Sequence, residues 1–156
     1  MRVIAIDPGY GRCGVAIVEK KDGAEHWVFS DCIETTAKTD FTDRLAYVVG
    51  ECERLMKVHK PDALAMERLF FSSNQKTAMQ VAEVRGALLR AAHAHGIKTH
   101  EYTPAQIKSA TTGSGRADKK QVAAMIHTLL KIEKPIAHDD EYDAIAVGIT
   151  HIAHSR

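Results

Sequence analysis

The opening of the chain constrains the fold more than any other stretch. Residues 3–6 form a short apolar run rich in β-branched side chains, and Asp7, Pro8 and Gly9 follow at once. This composition predicts a buried strand that ends at Asp7, a turn, and a partner strand over residues 14–18. A carboxylate at the end of a buried strand is costly unless a cation meets it. Asp7 is therefore the first candidate for a functional side chain.

Length and charge limit the organisation of the chain. Its 156 residues are enough for one domain with a substantial core and too few for two, so we expect residues 1–156 to form a single domain. The formal net charge is +1. This balance does not exclude a polyanionic partner, because a cluster of essential acids masks a basic face in the total.

Composition also narrows the compartment. The sequence has no apolar run approaching the length of a membrane span, and it does not open with a charged and then apolar leader. The three cysteines are odd in number and lack metal-site spacing, so we interpret them as reduced thiols. These features favour a cytoplasmic protein with no membrane partner.

The order of the predicted elements indicates a mixed sheet. Residues 25–33 have the pattern of a third strand, so three strands follow one another before a helix that runs to about His59. Residues 63–67 and 97–102 are predicted as further strands, each preceded by a helix. A meander that continues through helical crossovers predicts an α/β fold, with three antiparallel strands, two parallel additions and flanking helices.

Four acids are placed to converge in such a fold. Asp7 and Glu67 both end short apolar strands, and a right-handed crossover brings the two ends to the same edge of the sheet. Asp140 and Asp143 begin the last helix three residues apart and share one face. Four carboxylates do not stay ionised together without a cation. Their hard oxygens favour Mg²⁺ or Mn²⁺, and two such ions suit phosphodiester cleavage.

Each acid taken alone also has a structural interpretation. An aspartate before Pro-Gly is a common turn residue, and acids at a helix start are common caps. Spacing also leaves open whether Asp139 or Asp140 accompanies Asp143. The combination of two strand-end acids with a helical pair is what favours a site.

With these residues in place, the sequence resembles the RuvC-type Holliday-junction resolvases, which have an RNase H-like fold. Four blocks in the same order carry the resemblance across nearly the whole chain. They are Ile6-Asp7-Pro8-Gly9 with Gly14, Glu67-x-x-Phe70 with Asn74, Gly113-x-Gly115-x-Ala117-x-Lys119-x-Gln121-Val122, and Asp140-x-x-Asp143-Ala144-x-Ala146 with Thr150-His151.

The resemblance implies a homodimer that binds four-way junction DNA and resolves it by paired symmetric nicks in recombination and repair. It also implies a branch-migration motor of the RuvA/RuvB type as a partner. The matching positions make Asp7, Glu67, Asp140 and Asp143 the metal-binding catalytic acids, and they favour Asp140 over Asp139. The implied cofactor is Mg²⁺, two ions per site, with Mn²⁺ as a substitute.

Further roles follow from the same resemblance. Lys119 matches a residue that holds the scissile phosphate or stabilises developing charge. Phe70 matches an aromatic that interacts with junction bases, and Phe71 adds a second aromatic whose alternative role is core packing. The other expected DNA contacts, some of which are equally explained as solvated charges, are Asn74, Lys76, Lys108, Arg116 and Lys120.

Three questions stay open at this level. In the family the helix from Gln75 to Ala94 builds the dimer interface, whereas its alanines alternatively let it approach the sheet. His138 is either a loop residue or one that tunes a metal or a water, and His151 is a supporting or structural residue. The competing functions are an RNA-acting nuclease of the RuvX type and a junction-binding scaffold. The Phe70 segment argues against the first, and the intact acids argue against the second.

Overall fold

The computed structural model describes residues 1–70 and 75–155, and within them a five-stranded sheet carries helices on both faces. The elements in chain order are β1 (Arg2–Asp7), β2 (Arg12–Lys21), β3 (Ala24–Glu34), α1 (Phe41–His59), β4 (Ala63–Glu67), α2 (Gln75–Ala94), β5 (Lys98–Tyr102), α3 (Pro104–Thr112), α4 (Lys119–Leu130) and α5 (Asp139–His154). The strand order is β3-β2-β1-β4-β5. The pairs β3–β2 and β2–β1 are antiparallel, and the pairs β1–β4 and β4–β5 are parallel. The predicted mixed sheet is confirmed.

The two faces of the sheet differ in the size of their side chains. Alternation along the strands sends Ile4 and Ile6 to the face covered by α1 and α2. It sends Ala5, Ala16 and Ala65 to the opposite face, which packs against α3, α4 and α5. Helix α5 therefore lies close to the sheet, because the strands beneath it present mostly small groups.

Two glycines set the depth at which α5 packs. A Cβ atom at Gly148 would lie 2.8 Å from Cγ2 of Val18. A Cβ atom at Gly14 would lie only 1.8 Å from the carbonyl oxygen of Asp140. Since Gly14 pairs with Asp7 across the first two strands, the first turn of α5 is held beside the end of β1.

Some element boundaries differ from the prediction. Helix α3 extends through Thr111 and Thr112, and the Thr111 hydroxyl donates to the carbonyl of Ile107 at 2.8 Å. Helix α5 begins at Asp139 rather than at Asp140. The three cysteines all lie within the described residues and are free thiols. Over the same residues, no helix has both the length and the hydropathy to cross a membrane.

A buried histidine, His151, forms hydrogen bonds near the C-terminal end of α5. His151 Nδ1 is 2.8 Å from the Tyr102 hydroxyl, and its Nε2 is 3.1 Å from Oγ of Ser155. The rings of His100 and His151 are 4.6 Å apart. Burial, followed by the neighbouring His100 and His154, lowers the pKa of His151 to about 4. The side chain is therefore neutral at pH 7 and belongs to a buried hydrogen-bond network.

This histidine should make stability depend on pH. Its folded pKa of about 4 lies below the ordinary 6.5, so the unfolded chain binds the extra proton between these values. We expect its contribution to be complete above pH 6.5 and to fall by about 2 kcal/mol as the pH drops toward 4. Urea unfolding of wild type and His151→Gln at several pH values measures it. The exposed His26→Gln serves as control, and equal slopes in all three proteins would contradict the assignment.

Candidate active site

The acids predicted to converge lie at one edge of the sheet. Strands β1 and β4 are parallel neighbours with Ile6 opposite Met66, so Asp7 and Glu67 follow side by side. Helix α5 starts at the same edge because the backbone of Asp140 touches Gly14. Asp143 lies on the same helix three residues further on, less than one turn away.

The pKa values of these acids reflect their closeness. Burial, followed by the charges of Asp143, Asp140 and Glu67, raises the pKa of Asp7 to about 7. Burial and the charge of Asp143 also raise the pKa of Glu67. Burial raises the pKa of Asp143, which the cation of Lys119 partly offsets. With its pKa near 7, Asp7 is only partly ionised at neutral pH unless a cation stabilises its charge.

Two basic side chains lie among the acids. Lys119 Nζ is 3.3 Å from Oδ2 of Asp139 and 3.9 Å from Oδ2 of Asp143. Arg12 Nε is 3.2 Å from Oδ2 of Asp140. The negative charge of Asp143 raises the pKa of Lys119. Lys119 therefore lies beside the acids at the start of α5. Arg12 was not predicted as a site residue. In the sequence, it is marked only by its position at the start of β2, just after the turn that follows β1.

The donor set fits a hard divalent cation. All four acids offer carboxylate oxygens, the ligands that Mg²⁺ and Mn²⁺ prefer. In residues 1–70 and 75–155, however, no three His, Cys, Asp or Glu side chains are grouped closely enough to hold an ion. In this arrangement Asp140 pairs with Arg12, and Asp143 lies 3.9 Å from Lys119. A divalent cation would compete with these two pairs.

The environments of Asp139 and Asp140 are different. The Asp139 side chain is 71% exposed and pairs with Lys119, whereas that of Asp140 is 25% exposed and pairs with Arg12. The charge of Asp140 also contributes to the raised pKa of Asp7. His138 accepts a hydrogen bond from Arg12 and lies 3.2 Å from Glu34, so it supports Arg12. Asp140 is therefore the acid of this pair that lies beside Asp7.

A cleft lined by three lysines and three acids, Asp139 among them, adjoins the site. Its volume is about 490 Å³, and its lining includes Glu67, Asp143, Lys108, Lys119 and Lys120. Three of the expected DNA-contacting lysines thus share one cavity with two of the acids. The other predicted basic contacts lie elsewhere: Arg116 lines a separate groove, and Lys76 is exposed near the start of α2.

The predicted aromatic contact is accessible. Phe70 is 57% exposed, which core packing does not explain. With Asp7 and Glu67 it lines a second cavity of about 330 Å³. Phe71 and Asn74 lie outside the described residues, so their roles stay predictions.

A buried polar network anchors the start of α5 and was not predicted. Glu141 accepts hydrogen bonds from Oγ of Ser30 at 2.6 Å and from Nζ of Lys134 at 2.7 Å. Lys134 also donates to the carbonyl of Ser30 at 2.6 Å, and Trp27 Nε1 donates to the Ser30 hydroxyl at 2.9 Å. These bonds attach the acid-bearing turn to β3. In the sequence, Glu141 is one acid within an acidic run, and nothing marks it as buried.

The chain is similar to a known protein family and to individual proteins of that family. The family model described as "Crossover junction endodeoxyribonuclease RuvC" matches residues 3–151. The protein of that description from Brachyspira hyodysenteriae is 38% identical over 156 residues, covering 100% of this chain and 96% of its own length. The one from Petrotoga mobilis is 40% identical over 151 residues, covering 97% and 93%.

Solved structures show the same similarity. Thermus thermophilus RuvC, determined in complex with a Holliday junction substrate, superposes with a TM-score of 0.93 at 28% identity, covering 100% of this chain and 95% of that one. The yeast mitochondrial Holliday junction resolvase Ydc2 has a TM-score of 0.73 at 13% identity, covering 97% and 78%. At that identity the second likeness concerns the fold alone. The expected RNase H-like architecture is confirmed by these neighbours.

Proposed function

Since the chain belongs to the RuvC family of crossover junction endodeoxyribonucleases, we propose that Asp7, Glu67, Asp140 and Asp143 form its active site. The chain is a DNA endonuclease that resolves Holliday junctions. The single observation that supports the proposed site is electrostatic. The pKa of Asp7 is raised to about 7, first by burial and then by the three other acids.

We further propose that these four acids hold two Mg²⁺ ions, for which Mn²⁺ substitutes. When bound, such ions activate a water molecule and neutralise the charge that develops during phosphodiester hydrolysis. The chain contributes rigid placement, because Asp7 and Glu67 end paired strands and Gly14 keeps the first turn of α5 close. The all-oxygen donor set and the raised pKa values support this assignment.

The basic and aromatic residues are proposed to position the DNA. Lys119 faces the cleft 3.9 Å from Asp143, which supports contact with the scissile phosphate. Lys108 and Lys120 line the same cleft and contact neighbouring phosphates, without reading the sequence. Phe70 stacks on an unpaired base near the crossover.

Removing the aromatic ring should weaken junction recognition. Phe70→Ala is expected to cost about 1–3 kcal/mol of junction binding, the usual contribution of one stacked base. Metal-free binding of four-way and linear DNA measures this loss. Tyr47→Ala is the matched control, because Tyr47 is also an exposed aromatic but lies on α1. An equal loss for linear and four-way DNA would contradict a role at the crossover.

We propose that the protein acts as a homodimer joined through α2. Val84 and Leu88 of this helix are buried in the core, whereas Met79, Ala82 and Gly86 are exposed. Small side chains on an exposed face let a second helix approach closely. One isologous dimer presents two identical sites to a two-fold symmetric junction, which suits paired symmetric nicks.

A bulky side chain on this face should separate the protomers. A Cβ atom at Gly86 meets nothing within 4 Å, so Gly86→Trp is expected to leave the protomer folded and block the helix contact. Sedimentation equilibrium should show a monomer, and the coordinated second nick should be lost. A dimer of unchanged mass would contradict the interface.

The function itself is tested by substrate choice. With Mg²⁺, a synthetic four-way junction should receive paired nicks, and linear duplex DNA and an RNA–DNA hybrid should remain intact. Preferential cleavage of the hybrid would support the RuvX-type alternative, and tight binding without nicking would support a scaffold. We also propose a RuvA/RuvB-type motor as a partner, which the family resemblance implies, and a cytoplasmic location, which the composition favours.

A further inference from the structure

Arg85 is a buried cation beneath the acid edge to which the proposed chemistry gives no role. It lies on α2 and is 7% exposed. Its Nη1 donates a 2.7 Å hydrogen bond to the backbone carbonyl of Glu67, and its Nη2 pairs with the carboxylate of Glu101. A buried guanidinium is costly unless its donors are satisfied. Here two of its nitrogens donate to acceptors on adjacent strands, the Glu67 carbonyl on β4 and the Glu101 carboxylate on β5.

The peptide group that joins Glu67 to Arg68 is hydrogen-bonded through both its carbonyl and its N–H. Glu67 is the last residue of β4, and its carbonyl accepts from Arg85. The N–H of the same peptide belongs to Arg68 and donates to the carbonyl of Tyr102 at 2.8 Å. Glu101, the partner of Arg85, lies on β5 opposite Met66 of β4. The two hydrogen bonds to this peptide therefore come from α2, through Arg85, and from β5, through Tyr102. The peptide after Glu67 is therefore fixed in orientation where the sheet ends.

We propose that Arg85 is a positioning residue that aligns Glu67 for metal binding. By fixing the peptide plane, it fixes the direction in which the Glu67 carboxylate leaves the strand. Arg85, Asp7, Glu67 and Phe70 line the same cavity of about 330 Å³, so the arginine lies beneath the segment leading from the acids to the aromatic. The inference rests on the proposed function, in which Glu67 is a metal ligand.

The test compares Mg²⁺ binding with junction binding in the full chain. Groups that orient metal ligands typically change metal affinity about 10- to 100-fold when removed, and we expect that loss in Arg85→Met. Junction affinity without metal should be unchanged, and Arg85→Lys should be intermediate because an ammonium cannot reproduce the planar fork. Arg54→Met is the matched control: it removes an Arg–Glu pair of 3.1 Å on α1 and should alter neither affinity.

A second variant guards against misfolding. Glu101→Gln removes the charge partner but keeps the bond from Arg85 to Glu67, so it should retain Mg²⁺ affinity. If circular dichroism shows that Arg85→Met is unfolded, the contrast between Arg85→Lys and Glu101→Gln decides the question. Unchanged Mg²⁺ affinity in the folded Arg85 variants, even with a lower Tm, overturns the proposal. Absence of Mg²⁺ binding in wild type would instead overturn the proposed metal site.

Discussion

Asp7→Asn should abolish junction nicking and stabilise the metal-free protein. The amide cannot replace the carboxylate as a metal ligand, and we expect nicking to fall by at least about 100-fold, the scale for loss of one electrostatic group at a reacting centre. Stability changes the other way, because the folded pKa of Asp7, about 7, lies above its ordinary 3.8. The folded state binds the proton more tightly, so ionising Asp7 costs stability as the pH rises through that range.

At pH 8 the variant should therefore be more stable than wild type by about 4 kcal/mol, and the difference should shrink toward pH 4. Urea unfolding without metal at both pH values measures this, with Asp31→Asn on β3 as an exposed control. Added Mg²⁺ should stabilise wild type but not Asp7→Asn. Retained nicking, or a variant less stable than wild type at pH 8, would count against the site.

Gly14→Ala should damage both stability and catalysis. The new Cβ would lie 1.8 Å from the carbonyl oxygen of Asp140 and 2.4 Å from its carbonyl carbon. These are backbone atoms, so the clash is relieved only if α5 moves. We expect a loss of about 3 kcal/mol, at the upper end for overpacking. Movement of α5 would carry Asp140 and Asp143 away from Asp7, so nicking should fall with stability.

A matched substitution separates this clash from the general effect of replacing glycine. Gly50 lies within α1, and a Cβ atom there meets nothing within 4 Å. Gly50→Ala should raise stability by about 0.5–1 kcal/mol, as expected for an exposed helical site. Chemical denaturation and the nicking assay are run on both variants. A stable and active Gly14→Ala protein would show that α5 does not depend on this contact.

The features that were predictable from the sequence depend on local pattern. The apolar runs before Asp7 and Glu67 mark strand ends, and a parallel crossover places those ends together. Thr103 and Asp118 precede helices and form capping boxes in the structure, so those helix starts follow local rules as well. Exposure of Phe70 agrees with the family resemblance.

The features that were not predictable depend on tertiary contact. In the sequence, Arg85 and Arg90 are both arginines within the predicted helix, and nothing distinguishes them. In the structure Arg85 is buried beside the end of β4 and donates to the Glu67 carbonyl, whereas Arg90 is exposed. Likewise, spacing left Asp139 and Asp140 equivalent. Their difference arises from the approach of α5 to Gly14, a contact between distant segments. Arg12 became a candidate only once β2 placed it against Asp140.

The unequal faces of the sheet have a consequence for how this sequence can change. On the side of α1 and α2, side chains such as Ile4 and Ile6 can be exchanged for others of similar volume, because neighbouring side chains can repack. On the side of α5, Ala5 and Ala16 are already small, so a larger side chain at either position displaces the helix that carries two of the acids. Selection for activity should therefore restrict one half of the core far more than the other. Attempts to stabilise the protein by redesign should begin on the side of α1.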